Sequence, residues 1–369
     1  MKLQNINKDL LLKPLQLVSG IVERRHTLPI LSNVYLRFES KHLEVIATDL
    51  EIQISTTIAL EEDYPSGALT IPARKSIDIL RALPEKNKVT LDIEESKAIV
   101  KSGKSKFNLQ TLPSTDFPLI TPKQEAKVEK ITIKQPELKN MLLKVQFAMA
   151  QQDIRYYLNG LLMVVDKNTL TLVATDGHRL AHISTSVKNN ASKKEIILPR
   201  KTVLELSKLL GETSGDVNMS VTDTQITINF GNVTLVSKLV DGKFPDFNRV
   251  IPKELNNKLS LDREYLQAAL QRAAILSNEK FRGVRWVLTK NQLKIICTNS
   301  EQEEAVEELE VVYEGDPLDI GFNVNYLLDC LSNVSSKEIN CALGDSNSSM
   351  LISLQEEETF KYVVMPMRI

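Results

Sequence analysis

The sequence predicts an α+β protein of three tandem similar domains, each with two helices packed on antiparallel sheets. Three observations carry that expectation. First, "ATD" at 47–49, "ATD" at 174–176 and "CTN" at 297–299 each close an apolar alternating run, so that Asp49, Asp176 and Asn299 lie 127 and 123 residues apart. Second, two further columns keep nearly that interval. Asn33, Gly160 and Gly283 precede the runs VYLRF, LLMVV and VRWVL, and Phe117-Pro118, Phe244-Pro245 and Met365-Pro366 stand near the end of each unit. Third, Pro72, Pro199 and Asn323 open helix-like segments that carry an acid at the same place: Asp78, Glu205 and Asp329. Self-similarity at a fixed period marks one structural unit written several times. Boundaries are therefore expected near 126 and 254, giving domains 1–126, 127–254 and 255–369.

Within each unit the same order recurs. A short strand, such as KLQNI or KITIK, leads into a helix expected over 8–22, 135–150 and 262–277. In LQAALQRAAIL the apolar positions recur at spacings of three and four, which gives one buried face. Strands of period two follow (LEVIAT, LTLVAT, LKIICT), then the second helix, with proline expected at its first turn in two units of three. Further strands, such as KVTLDI and FNLQTL, close the unit. Two rounds of helix followed by strands make an α+β design with helices on one side of the sheets.

At 369 residues the chain has room for two or three domains. With 42% hydrophobic and 25% charged residues it has the composition of an ordinary globular protein. No apolar run reaches the roughly 18–20 residues of a membrane helix, and the N-terminus has no secretory pattern. Cys297, Cys330 and Cys341 are odd in number and lack CxxC spacing, which predicts a reducing cytoplasm with neither a disulfide framework nor a zinc site. With 46 basic against 47 acidic residues the net charge is −1. That argues against a static module gripping DNA by charge, although the distribution of charge matters more than its sum.

The stretch LVATDGHRLAHIS, residues 172–184, looks catalytic at first sight. Its counterparts TDLEIQI and TNSEQEE show that the frame is common scaffolding, since Thr-Asp or Thr-Asn after a strand forms a turn. Gly177, His178 and Arg179 belong to the middle unit alone, which points to a site without requiring catalysis. No GxSxG elbow or reactive-cysteine signature occurs, and His26, His42, His178 and His182 have no metal-binding spacing. The Gly-Lys-Ser of SGKSKF (102–107) lacks the earlier glycine of a phosphate loop, because position 98 is alanine. The run EQEEAVEELE (301–310) reads as a strand with one solvated face, or as an edge able to meet a basic strand such as VKSGKSKFNL (100–109). Basic residues gather on the helices and their entrances, among them Lys13, Arg25, Arg74, Lys75, Lys144, Arg200 and Lys201. Two readings stand side by side: solvated helix surfaces, or a basic helical face that meets phosphates.

Ten further stretches carry a resemblance over the whole length. They include LLKPLQ (11–16), TLPIL (27–31), PARK (72–75), RYYLNG (155–160), ATDGHRLA (174–181), SKLVDGKFPDF (237–247), RAAILSNEKFRGVR (272–285) and YVVMPMRI (362–369). In these the chain resembles the bacterial DNA polymerase III beta subunit family, the replicative sliding clamps. The resemblance implies a DNA-clamp fold and a head-to-tail homodimer closing into a ring of six domains around duplex DNA. Such a ring tethers the replicative polymerase and is placed by a clamp loader; other polymerases and repair proteins are further partners. It implies no catalytic residue, no cofactor and no metal. A topological link suits a near-zero net charge, because many phosphate contacts would hinder sliding.

The resemblance also assigns residues. A pocket for a client's short peptide would comprise Arg155, Tyr157, Leu158, Thr175, Gly177, His178, Arg179, Leu180, Pro245, Arg249 and Val250. Its other half would be Asn323, Tyr326, Asn347, Ser349, Val363, Met365, Pro366, Met367 and Arg368. Pliable methionines suit a client's leucine or phenylalanine, with arginine and histidine expected at the rim. Asn347 departs from the family, which usually has an apolar residue there, and Gln151 stands where a histidine is common. DNA contacts would fall on Arg25, Arg74, Gln152, Tyr156 and Tyr157, with Arg200 and Lys201 as additions. At the dimer seam, Lys75, Lys104, Lys106, Phe107 and Leu109 would face Ile275, Leu276, Glu301, Glu303 and Glu307 of the other subunit.

Overall fold

The structure, a computed structural model, describes residues 2–23, 27–85, 87–94, 97–122, 129–212, 214–253 and 255–368, with backbone alone at Lys2 and 189–192. The first repeat runs β1 (Lys2–Asn7), α1 (Lys8–Val18), β2 (Asn33–Thr48), β3 (Ile52–Pro72), α2 (Ala73–Ala82), β4 (Lys88–Glu94), β5 (Lys97–Ser102) and β6 (Ser105–Gln110). The second follows the same order with β7 (Glu129–Lys134), α3 (Gln135–Gln146), β8 (Gly160–Thr175), β9 (Arg179–Pro199), α4 (Arg200–Leu209), β10 (Asp216–Val221), β11 (Gln225–Phe230) and β12 (Val233–Lys238). The third has β13 (Asn257–Asp262), α5 (Arg263–Ala273), β14 (Gly283–Thr289), β15 (Gln292–Thr298), β16 (Glu304–Glu310) and β17 (Leu318–Asn323). It closes with α6 (Val324–Asn333), β18 (Glu338–Leu343), β19 (Met350–Leu354) and β20 (Lys361–Val364). Where the first two repeats use one long bent hairpin, with register shifts near its middle, the third uses four separate strands.

Each helix buries the stripe its sequence spacing dictates. Leu11, Pro14, Leu15 and Val18 are the inner face of α1, and Leu266, Ala269, Leu270 and Ala273 that of α5. The first helices are shorter than expected. α1 ends at Val18 and passes into a 3-10 turn over Ser19–Ile21, and α5 likewise passes into Ala274–Leu276. Proline also sits one residue earlier than expected. Pro72 is the N-cap of α2, with extended backbone, and Pro199 is the last residue of β9. A proline lacks the N–H that a strand ladder needs, so it ends the strand as readily as it starts the helix.

The chain divides into two compact units, 1–136 with 204–239, and 137–203 with 240–369. In the first unit β1-β4-β5-β6 form one antiparallel sheet, and β7-β10-β11-β12-β3-β2 lie side by side. β12 pairs with β3 over Val233–Ser237, so the closing strands of the second repeat extend the first repeat's sheet. In the second unit β13-β18-β19-β20-β9 lie in order with β8 on β9, and β16-β15-β14-β17 form a separate sheet. β6 and β16 are both edge strands. Among the described residues no helix is long and apolar enough to cross a membrane.

Candidate functional site

The first two Thr-Asp turns share one construction, and the Thr-Asn turn is one residue wider. Asp49 Oδ1 accepts the backbone N–H of Glu51 and Ile52 at 3.0 and 2.8 Å. Asp176 Oδ1 accepts those of His178 and Arg179 at 2.9 and 3.0 Å, and Asn299 Oδ1 those of Glu301 and Glu303 at 3.0 Å each. In the middle turn Thr175 Oγ1 donates to Arg179 O at 2.5 Å and accepts from Gly177 N at 3.1 Å. The Thr175 hydroxyl and the Asp176 carboxylate are thus committed to the turn, and the arrangement has no activated nucleophile. The stretch that looked catalytic is a scaffold.

What the middle turn adds is an arginine pair. Gly177 has φ +92°, and a Cβ there would stand 3.0 Å from an Arg155 guanidinium nitrogen. The missing side chain lets Arg155 lie over the turn and donate to Asp176 O at 3.2 Å. Arg155 is held by two bonds to Asp153, at 3.0 and 2.9 Å. Side-chain and backbone bonds from Arg155 hold the Asp153 carboxyl down to about 2. Asn159 fixes the loop by exchanging two hydrogen bonds with the Asp153 backbone.

Beside this turn lies a cavity of about 230 Å³. Of the expected pocket residues it brings together Arg155, Tyr157, Leu158, Thr175, Gly177, His178, Arg179, Leu180, Pro245, Val250, Val363 and Met365. Strand pairing explains the assembly: β20 lies antiparallel to β9, opposing Val363 to Leu180, and Met365 N donates to His178 O at 2.9 Å. The floor is the buried cluster of Leu158, Leu162, Val173, Leu180, Phe244 and Val363. Phe244 and Phe247 also line the cavity and were not expected there. Phe244 was visible only as a repeat column, and nothing local in the sequence showed which way it points. The volume suits one or two apolar side chains, at the small end for a ligand site.

The remaining expected pocket residues lie outside that lining. Tyr326 stacks on His178, with ring centroids 6.5 Å apart, so it stands just behind the wall. Met367 N donates to Gly321 O at 2.8 Å, which draws the tail toward β17, where Asn323 caps α6. Pro366 is half-buried and Arg368 exposed. Asn347 is exposed in the turn before β19, with its N–H on Asp345; Ser349 follows it, half-buried, and neither reaches the cavity. Arg249 is exposed and pairs with Asp246. Arg179, within the lining, has a side chain only 10% exposed. Burial would lower its basicity, but Tyr362, the bond to Asp329 and Asp176 outweigh that and raise it.

The residues expected at DNA scatter in exposure. Arg74 is exposed on α2. Gln152 and Tyr156 are exposed on the 151–156 loop, Gln152 at φ +57°, and the rings of Tyr156 and Tyr157 meet edge to face. Arg200 is half-buried, lowered in basicity by burial and by Arg179, and donates to Met149 O at 3.1 Å; Lys201 is half-buried. Arg25 lies outside the described residues. Lys144, expected on a solvated basic face, is buried and paired with Glu357.

At the expected seam, Lys75 is exposed on α2, and Lys104 and Lys106 are exposed at or before edge strand β6. Phe107 is half-buried and Leu109 buried within its own sheet. Ile275 is 77% exposed, Leu276 half-buried, and Glu301 and Glu303 are exposed before edge strand β16. Glu307, on β16, accepts two bonds from Arg272 of the same chain.

The comparisons with known proteins agree with one another. The DNA polymerase III beta subunit family matches through its N-terminal domain over residues 1–121, its central domain over 132–246 and its C-terminal domain over 248–368. The beta sliding clamp of Pseudomonas putida is 47% identical over 367 residues, 99% of each chain, and that of Escherichia coli K12 is 43% identical over 364 residues, again 99% of each. The crystal structure of the DNA polymerase III subunit beta from Pseudomonas aeruginosa superposes with a TM-score of 0.96 at 46% identity, covering both chains in full. The chain therefore belongs to the DNA polymerase III beta subunit family, the beta sliding clamps.

Proposed function

We propose that the chain works as the family's ring does, with its client pocket in the cavity beside the Gly177 turn and its seam between β6 of one protomer and β16 of the other. As a member of the family it is a non-catalytic sliding clamp, which pairs head-to-tail, encircles duplex DNA and tethers the polymerase to it. The observation that carries the seam is the pair of uncovered edge strands of opposite charge. A free edge exposes unpaired backbone groups and invites another strand. Lys104 and Lys106 accompany one edge, and Glu301 and Glu303 the other, with Phe107 and Ile275 available as an apolar centre.

Client peptides enter the cavity with an apolar side chain, while Arg155 and His178 orient the backbone. Arg74, Gln152 and Tyr156 touch DNA weakly and without sequence preference, as sliding requires. We assign the protein to the cytoplasm, where a clamp would meet bacterial DNA, and Cys297, Cys330 and Cys341, all buried free thiols, suit that compartment. The domain boundaries near 126 and 254 follow from the repeat.

Protein loaded on nicked circular DNA should stay bound through gel filtration and escape once a restriction enzyme cuts the circle. Equal retention on linear and circular DNA would remove the ring reading. Ile275→Asp should shift sedimentation from dimer to monomer, weakening association by at least ~tenfold, as for a truncated central contact.

A further inference from the structure

We infer that Asp329, on α6 and outside the cavity, sets the shape of the client pocket by holding Arg179, which lines it, so that Asp329 is a positioning residue. This rests on the pocket reading above and extends it to a residue behind the wall.

The geometry of Arg179 is that of an internal tie. Its Nε donates to Asp176 at 3.1 Å, one terminal nitrogen to Asp329 at 2.5 Å and the other to Phe147 O at 2.8 Å. The guanidinium lies 4.5 Å from the Tyr326 ring centroid and 5.7 Å from that of Phe147. A planar fork bonded in three directions and stacked on a ring is fixed in place. It has little left to offer a ligand, in contrast to Arg155, whose side chain is 46% exposed. Through Arg179 the turn at Asp176 is bound to α3's end and to α6. α6 is tied to the same wall a second time, because the Tyr362 hydroxyl on β20 donates to Tyr326 O at 2.8 Å.

The acid on the second helix is used differently in each repeat. The counterpart Glu205 lies against Gly20, where a Cβ would stand 2.1 Å from the carboxylate, and pairs with Lys208 of its own helix at 2.7 Å. Asp78, in the same column, is exposed. Only at Asp329 does the acid meet an arginine that lines a cavity, and only the middle turn carries that arginine. Charge-assisted bonds to a buried guanidinium hold geometry as well as energy. Removing Asp329 takes away one of the three anchors of the fork, the one that ties the turn to α6, and leaves the bonds to Asp176 and Phe147 O.

The test uses the full-length dimer and a fluorescein-labelled pentapeptide ending in Leu-Phe, read by anisotropy. Asp329→Ala is expected to weaken the peptide about fivefold, Arg179→Ala at least as much, and the double variant no more than Arg179→Ala alone, since coupled residues do not add. Asp329→Glu should recover most of the affinity. Melting should shift by no more than about 2 °C, because the acid is half exposed. Should Asp329→Ala not fold, Asp329→Asn keeps the shape, removes the charge and is expected to lose affinity in the same direction. Peptide affinity unchanged in Asp329→Ala, or losses that multiply in the double variant, would overturn the inference. If the unsubstituted dimer itself fails to bind the peptide, the pocket reading falls and this inference with it.

Discussion

The turns at 48–52 and 175–179 have the same backbone bonds and different fates. In both, a threonine hydroxyl and an aspartate oxygen close the loop between two strands, with distances agreeing within a few tenths of an ångström or better except where Thr175 donates more closely. In the first, the left-handed position is Leu50, at φ +78°, and its side chain packs on the cluster around Ile30, Tyr35 and Phe117. In the second that position is Gly177, and the space a side chain would take is filled by Arg155. One copy uses the turn to complete a core, the other to seat two arginines beside a cavity. A repeated scaffold can thus acquire a site by losing a side chain at one position and gaining a charged one at another.

The comparison breaks first at the aspartates. Asp176→Ala removes two backbone bonds and an anchor of a buried arginine, for an expected loss of ~3 kcal/mol in denaturant unfolding. Asp49→Ala removes the corresponding backbone bonds of the first turn, for about 1 kcal/mol. Equal losses would mean that the arginine pair adds no more to the second turn than its own surroundings add to the first. Next, Gly177→Ala should cost ~1–2 kcal/mol through its left-handed backbone, displace Arg155, and weaken the labelled peptide severalfold. Leu50→Gly should change stability by less than about 1 kcal/mol, since relief of the strained backbone offsets lost packing and added chain entropy.

The smallest effect is in titration. Bonds from Arg155 depress the Asp153 carboxyl from its ordinary 3.8 to about 2. A depressed carboxyl contributes stability that is complete above its unfolded value and disappears as pH falls through the folded one. The Arg155–Asp153 pair should therefore persist from neutral pH down to about pH 2, and carboxyl NMR shifts should show that midpoint. In Arg155→Ala the midpoint should return toward 3.8; an Asp153 midpoint already there in the unsubstituted protein would show that Arg155 is not seated over the turn.

Much of this was legible locally. The Thr-Asp turn, the inner faces of α1 and α5 and the alternation of the strands follow from residues within a turn or two of each other. Where the sequence reading missed, the deciding partner was distant. Arg179 and Asp329 are 150 residues apart, and Lys144 and Glu357 are 213 apart, so neither pairing leaves a local trace. Phe244 stands out in the sequence as a repeat column, and its place in the cavity wall depends on the distant segments packed around it.

By itself the amino-acid order determined the threefold repeat, the helix and strand order and the special middle turn, since periodicity and turn chemistry act between near neighbours. Only the tertiary structure decided that β12 joins β3, that β20 brings Val363 and Met365 to the Gly177 turn, and that Arg179 is buried rather than displayed. Those outcomes come from strand pairing and packing between segments far apart in the chain, whose energies are set by complementarity of surfaces that exist only once each segment has folded.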